Sequence, residues 1–452
     1  MERLNKQVIY SYMSTIGKQG FLYSNDKAGQ YPDSYYFASA NQIPQFAKQQ
    51  GTETTDVCVI GAGFTGLSAA LHLAKSGYDV ILLDAHRVGW GASGRNGGQL
   101  GSDQRQGQDE LESQYGKDAA KALWNIAQDA NVLCRSLIQE HDIQCDLTDG
   151  IIHADHRQRY LQETREHVEK LQKEYGYEKI RYLDTDEIRE HVGSESYFGG
   201  SLDMGAAHIH PLNFALGLAT AAANAGATIY QESPVLSYDD AGGQVAIKTA
   251  SGEISAKYVM LACNGYLDKL NSKVASRVMP INNYIIATEP LSDELASNLI
   301  RDNHAVADSR FVVNYFRLSA DKRMLFGGGE NYSFQFPSDI KQFVRKHMLA
   351  IYPQLENIPI DYGWGGTLAI TASRMPYFAK VSRNVLSASG YSGHGVAMAT
   401  MAGKIMADMV DGKLARFDTM AKLKTYPFPG GTSLRWPLLV LAMTYYSLRD
   451  KL

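Results

Sequence analysis

Between Asp56 and Asp84 the chain carries a local pattern that dictates a topology. Val57-Cys58-Val59-Ile60 is an apolar run of buried-strand length. Residues 64–76 read as a helix with Leu67, Ala70, Leu71 and Ala74 on one face. Gly77 ends that helix, and Asp79-Val80-Ile81-Leu82-Leu83-Asp84 reads as a second strand. Strand, helix and strand within about 30 residues form a crossover unit, which builds a parallel sheet.

The turn between the first strand and the helix is Gly61-Ala62-Gly63-Phe64-Thr65-Gly66. Gly61 permits the tight turn, Gly63 lets a pyrophosphate approach the backbone, and Gly66 lets helix and strand pack closely. The helix N-terminus offers free N–H groups and partial positive charge to phosphate. Asp84 ends the second strand, followed by Ala85. It stands 84 − 61 = 23 positions after Gly61, near the spacing of about 20 at which an acid accepts hydrogen bonds from a ribose. This fingerprint implies a dinucleotide and leaves FAD and NAD both open.

Two more glycine-rich loops frame a site. Gly89-Trp90-Gly91-Ala92-Ser93-Gly94-Arg95-Asn96-Gly97-Gly98-Gln99 places five glycines in eleven residues, so its backbone approaches something flat or charged. Arg95 can serve an anionic group there, and Ser93 with the loop amides can reach a pyrophosphate. Far downstream, Gly390-Tyr391-Ser392-Gly393-His394-Gly395 lies between an apolar strand and a helix from Val396 to Val410. That helix N-terminus can aim its dipole at a second end of the same cofactor. His394 reads equally as a turn residue and as a side chain with a chemical role.

Composition narrows the class. The 452 residues carry 44 Lys+Arg against 48 Asp+Glu, a net charge of −4 that suits no dedicated nucleic-acid binder. The four cysteines, at 58, 134, 145 and 263, show no CxxC spacing. A disulfide scaffold or zinc ribbon is not expected, no metal site is expected, and a reducing, cytoplasmic setting fits. No apolar run reaches the ~18 residues of a spanning helix, and no signal peptide is expected. Long helical patterns cover residues 108–141 and 157–175, and residues 279–329 are strand-rich. The first 33 residues read as an arm or mobile extension. The apolar stretch 436–446 reads either as a helix docked on the body or as a membrane-surface contact.

Taken together, the three loops resemble the D-amino-acid-oxidase-like family of FAD enzymes. Within it, further stretches resemble bacterial γ-glutamylputrescine oxidases. These are Ser34-Tyr35-Tyr36-Phe37-Ala38-Ser39-Ala40-Asn41, His208-Ile209-His210-Pro211, Ser373-Arg374-Met375-Pro376 and Tyr426-Pro427-Phe428-Pro429-Gly430-Gly431. The resemblance covers residues 34–452. It implies an α/β fold with a Rossmann-like FAD-binding domain of discontinuous segments and a substrate domain with a mainly antiparallel sheet. The expected FAD segments are 34–145, 205–275 and 366–415, the substrate segments 146–204 and 276–365, and the tail 416–452.

The resemblance adds Val235, Ala262 and Gly265 to the expected cofactor contacts. It implies oxidation of the terminal amine of γ-glutamylputrescine to an aldehyde, with O2 reduced to hydrogen peroxide. The relatives' flavin-linking cysteine and histidine have no counterpart near Thr367 or at Arg95, so non-covalent FAD is expected. Sarcosine oxidases place a carboxylate-binding lysine where Ala397 stands, which weakens an amino-acid-oxidase reading. Lys269 and Lys273 lie near the region of their oxygen-activating lysine, where a solvated lysine is the alternative.

A dry aromatic pocket would favour the neutral, oxidisable amine. Tyr284, Tyr315, Phe316, Tyr362 and Trp364 are the candidates, with Trp364 and Tyr315 foremost. Arg374 and Arg317 are candidate partners of the substrate carboxylate. A flavin enzyme acting on another amine (pipecolate, a sarcosine-like compound or a free polyamine), a quinone-linked dehydrogenase and a non-catalytic FAD-binding protein remain as alternatives.

Overall fold

The computed structural model describes residues 20–331 and 334–431; residues 436–446, the apolar stretch, lie outside them. Two sheets organise the chain. The first has eight strands. Its central strand Gly51–Ile60 pairs in parallel with Val80–Leu83 on one side and Gly252–Leu261 on the other. Thr228–Tyr230 extends one edge in parallel, and Val385–Ser389 with Tyr377–Lys380 extends the other. Val235–Asp239 and Val245–Thr249 fold back antiparallel beside Gly252–Leu261.

The expected crossover unit is present. The helix Phe64–Lys75 joins the two strands, with Leu67, Ala70 and Leu71 fully buried. Each such leucine contributes about 1.5–3 kcal/mol by leaving water. Val57 to Val59 and Val80 to Leu83 are buried on both faces of the sheet, which is why these strands read as continuous apolar runs rather than alternating ones.

The second sheet has nine strands and is mainly antiparallel. Ile360–Ile370, Met279–Thr288, Met324–Asn331 and Tyr315–Leu318 run side by side. Ala305–Asp308 continues the sheet and pairs in parallel with Thr148–Asp155. Gly199–His208 and the two-residue strand Gln99–Leu100 complete it, with Ile180–Leu183 at the side. This α/β architecture of two sheets assembled from discontinuous segments is the expected one. Gly199–His208 runs across the anticipated boundary at 204/205, and Gln99–Leu100 ties the glycine loop to the second sheet.

Two local readings change. The helix expected over 108–141 is two helices, Gln108–Tyr115 and Lys117–Glu140, broken at Gly116 with φ +85°. The helix expected from 157 begins at Leu161 after a short 3₁₀ turn. Within the strand-rich stretch 279–329, Phe311 and Val313 sit in the connection between Ala305–Asp308 and Tyr315–Leu318. No helix among the described residues is long and apolar enough to cross a membrane.

Candidate active site

A cavity of about 820 Å³ opens at the carboxyl ends of the central parallel strands, where Ile60 and Leu83 line it. Open α/β sheets bind ligands at this position. The second sheet closes it with Ile151, Ile281 and Tyr315.

The first glycine loop is built as its spacing demands. Gly61 has φ +109°, and a Cβ there would lie 2.8 Å from the Ala262 carbonyl oxygen. A Cβ at Gly66 would lie 1.8 Å from the Gly61 carbonyl oxygen. Gly61, Gly63, Phe64 and Thr65 line the cavity, while Ala62 and Gly66 stand behind them. Asp84 is held facing the loop: its Oδ2 accepts from Ala62 N–H and its Oδ1 from His86 N–H, both at 2.7 Å. Ala85 lines the cavity beside it.

The second loop meets the first. Phe64 N–H donates to Ser93 Oγ at 3.0 Å, across the helix N-terminus. Asn96 Nδ2 donates to the carbonyls of Ala92 and Ser93, and Gly98 N–H donates to Asn96 Oδ1. Gly91, Ala92, Ser93, Asn96, Gly97 and Gln99 face the cavity, and Gly98 does not.

The third loop arrives from the other side. Tyr391 Oη and Thr65 Oγ1 share a hydrogen bond of 2.7 Å that ties it to the first. Ser392, Gly393, His394, Gly395 and Val396 line the cavity at the start of the helix Gly395–Val410. Val235 and Ala262 also line it; Gly265 and Gly390 lie behind, Gly390 N–H donating to Asn264 Oδ1. Two helix N-termini and a half-buried carboxylate around one cavity fit a dinucleotide with a second functional end.

Burial pushes the Asp84 carboxyl up to about 6, against the pull of the two N–H groups. A carboxylate accepts ribose hydroxyl hydrogens on both oxygens, and protonation turns one of those acceptors into a donor and removes the charge. The cofactor-free protein is therefore expected to bind FAD tightly above pH ~6 and about tenfold more weakly per pH unit below it. Fluorescence titration of the apoprotein with FAD at several pH values checks this. A flat profile from pH 7 to 5 would remove Asp84 from the site.

Several expected site residues have other work. Arg95 does not face the cavity. Its guanidinium lies 4.3 Å from the Trp90 ring and donates to Asp26 at 2.7 Å, to Trp90 O at 2.7 Å and to Gly365 O at 3.2 Å. The anion it serves is therefore Asp26. Trp364 is only 2% exposed and stands outside the cavity lining. Its Nε1 donates to Arg95 O at 3.0 Å and its ring meets Tyr36 edge-on, so it props the glycine loop from behind. Arg317 is 3% exposed and donates to the carbonyls of Gly97, Ile209 and Leu318. Tyr284 and Phe316 are core residues. Of the five aromatic candidates only Tyr315 lines the cavity; its O–H donates to Asn283 Oδ1 and its ring covers Gly97. Arg374 lines the cavity as expected.

From Gly20 onward the N-terminal segment is docked rather than a free arm. Trp90 Nε1 donates to Gln30 O, Tyr31 O–H donates to Val88 O, and His86 Nε2 pairs with Leu22 O. Leu22 and Tyr23 line the cavity. The segment lacks periodicity because it packs as irregular backbone onto side chains of the glycine loop.

Sequence reading also missed Asp103, Gln104 and Arg105, which follow the glycine loop and line the cavity, with His153 and His167 beside them. The only signal was their nearness to the loop. Among the described residues His191, Asp302 and His304 approach one another closely. Arg181 and Arg301 set guanidinium groups 2.9 Å and 3.2 Å from the His191 ring nitrogens, so positive charge already fills that corner.

Fold and cavity together define a dinucleotide-binding protein. The chain belongs to the FAD dependent oxidoreductase family, whose model matches residues 56–409. It is 41% identical over 424 residues to the gamma-glutamylputrescine oxidoreductase of Escherichia coli (strain K12), covering 94% of this chain and 99% of that protein. It is also 41% identical to the probable oxidoreductase OrdL of Rhizobium meliloti (strain 1021), covering 92% and 97%. Among solved structures, glycine oxidase from Geobacillus kaustophilus superposes with a TM-score of 0.67 at 21% identity, covering 81% of this chain and 98% of that one. L-proline dehydrogenase from P. horikoshii gives 0.68 at 19% identity, covering 80% and 94%.

Proposed function

We propose that this chain oxidises the terminal primary amine of γ-glutamylputrescine. The observation that carries the reading is the 41% identity, across nearly the whole of both chains, to a gamma-glutamylputrescine oxidoreductase. The balanced reaction takes R–CH2–NH2, O2 and water to R–CHO, ammonia and hydrogen peroxide. The FAD supplies the two-electron acceptor for the C–H bond next to nitrogen.

In this reading the first two glycine loops, Asp84 and Ala85 hold the dinucleotide, and residues 392–396 meet its other end. Segments 34–145, 205–275 and 366–415 form the cofactor domain, and 146–204 with 276–365 the substrate domain. The amine lies along the apolar wall of Ile281, Phe311, Val313 and Tyr315. Desolvation there favours its neutral form. Buried Ala397 offers no cation to an α-carboxylate at that position. The FAD is held without a covalent bond. O2 is the acceptor, and the setting is cytoplasmic, in keeping with four free cysteines.

The test is aerobic turnover. Peroxide and ammonia are expected in equal amounts from γ-glutamylputrescine, with putrescine, sarcosine and pipecolate slower by roughly a hundredfold or more. Equal rates with free putrescine would overturn the substrate, and reduction of a quinone without peroxide would overturn the acceptor. Acid precipitation is expected to leave all the yellow colour in the supernatant. Colour retained in the pellet would contradict non-covalent binding.

A further inference from the structure

We propose that the polar end of the cavity receives an α-amino-acid head group, with Arg105 and Arg374 holding its carboxylate and Asp103 holding its ammonium. This deepens the reading above, in which the γ-glutamyl part of the substrate carries such a head far from the reacting amine.

The arginines carry the first half. Among the described residues, several half-buried or buried arginines outside the cavity have a carboxylate partner: Arg95 has Asp26, Arg310 has Asp308, and Arg323 has Asp321 and Asp361. Arg105 and Arg374, both lining the cavity, have no ion pair among the described residues. Arg105 Nε donates to Ser392 O at 3.1 Å, which leaves its terminal nitrogens available. The Arg374 guanidinium lies 4.8 Å from the Phe311 ring, and its backbone stands at φ +60°. Burial, and then the neighbouring charge of Arg374, disfavour the charge on Arg105. A carboxylate shared by the two guanidinium groups relieves both effects.

The second half rests on an adjacent acceptor. Asp103 Oδ1 lies 3.2 Å from His394 Nε2. Burial would raise the Asp103 carboxyl, but His394 holds it down at about 2, so it is a carboxylate at neutral pH. Asp103 lines the cavity, and its carboxylate accepts from an ammonium with three donors.

The test uses the holoenzyme and ligands that cannot be oxidised at an amine terminus. N-butyl-γ-glutamine carries the whole head. N-butylglutaramic acid lacks the ammonium, and N-butyl-4-amino-4-methylpentanamide lacks the carboxylate and has no hydrogen on its amine carbon. Binding is followed by calorimetry and by perturbation of the flavin spectrum. Each truncated ligand is expected to bind at least about tenfold more weakly than the full head. Arg374→Gln and Arg105→Gln are expected to weaken only the two carboxylate ligands. Asp103→Asn is expected to weaken only the two ammonium ligands.

Equal affinity of all three ligands for the wild-type protein, or a variant that weakens all three alike, would overturn the proposal. If a variant fails to fold, the wild-type series and Arg374→Lys still decide it. Selective head binding without oxidation of γ-glutamylputrescine would sink the substrate reading and keep this one. Oxidation with equal binding of all three ligands would do the reverse.

Discussion

Gly66→Ala is expected to give a colourless protein. The added Cβ would sit 1.8 Å from the Gly61 carbonyl oxygen, which is backbone and cannot swing aside. The helix Phe64–Lys75 must then move away from the strand Gly51–Ile60, and its N-terminal N–H groups leave the position that a pyrophosphate needs. Overpacking of this kind costs about 1–3 kcal/mol or more in the core, while the loss of aligned phosphate contacts falls on the cofactor. The expected ratio of bound flavin to protein drops from near one to below about a tenth. Absorbance of the purified variant measures it. A fully yellow Gly66→Ala would show that the loop does not hold the dinucleotide.

Asp26→Ala is expected to produce the largest loss of stability of any single carboxylate removal near the loop. The Arg95 guanidinium is 1% exposed and its partner Asp26 only 15%. Taking the carboxylate away leaves a buried charge with carbonyl partners alone, and its Nη2 already has none. Breaking a buried pair on one side costs about 3–5 kcal/mol. By contrast Asp293→Ala, which removes the exposed partner of Lys322, is expected to cost less than about 1 kcal/mol. Thermal release of flavin, followed by its fluorescence, is expected to fall by many degrees for Asp26→Ala and hardly at all for Asp293→Ala. The double change Asp26→Leu with Arg95→Met should recover much of the loss, because no unpaired charge remains. Identical melting of Asp26→Ala and the wild-type protein would mean that the N-terminal segment does not anchor the loop.

These two sites differ in how far they could be read from sequence. Gly66 was legible because local rules cover it: strand, turn, helix, strand, with each glycine answering a steric demand within a few residues. The same holds for Asp84 and for the helix that follows His394. The Asp26–Arg95 pair joins residues 69 positions apart, and nothing in either neighbourhood marks it. Trp364 misled for a related reason. Its glycine neighbours suggested a close approach to a ligand, but in the strand Ile360–Ile370 they accommodate Arg95 and Phe336, which would crowd a Cβ at Gly366 and Gly365. Arg105 and Asp103 were missed because they sit in irregular backbone, where no period reports which side faces inward. Local grammar thus identified the glycine loops that line the cavity, while the residues at its polar end depended on contacts between distant segments.

Anaerobic reduction of the bound flavin tests the proposed amine oxidation without intervening steps. The purified protein is mixed without oxygen with γ-glutamylputrescine or with putrescine, and absorbance is followed near ~450 nm, where oxidised flavin absorbs. Rapid bleaching by γ-glutamylputrescine is expected, reversed on admitting air with release of peroxide, with little bleaching by putrescine. Flavin that stays oxidised with γ-glutamylputrescine would contradict the proposed oxidation.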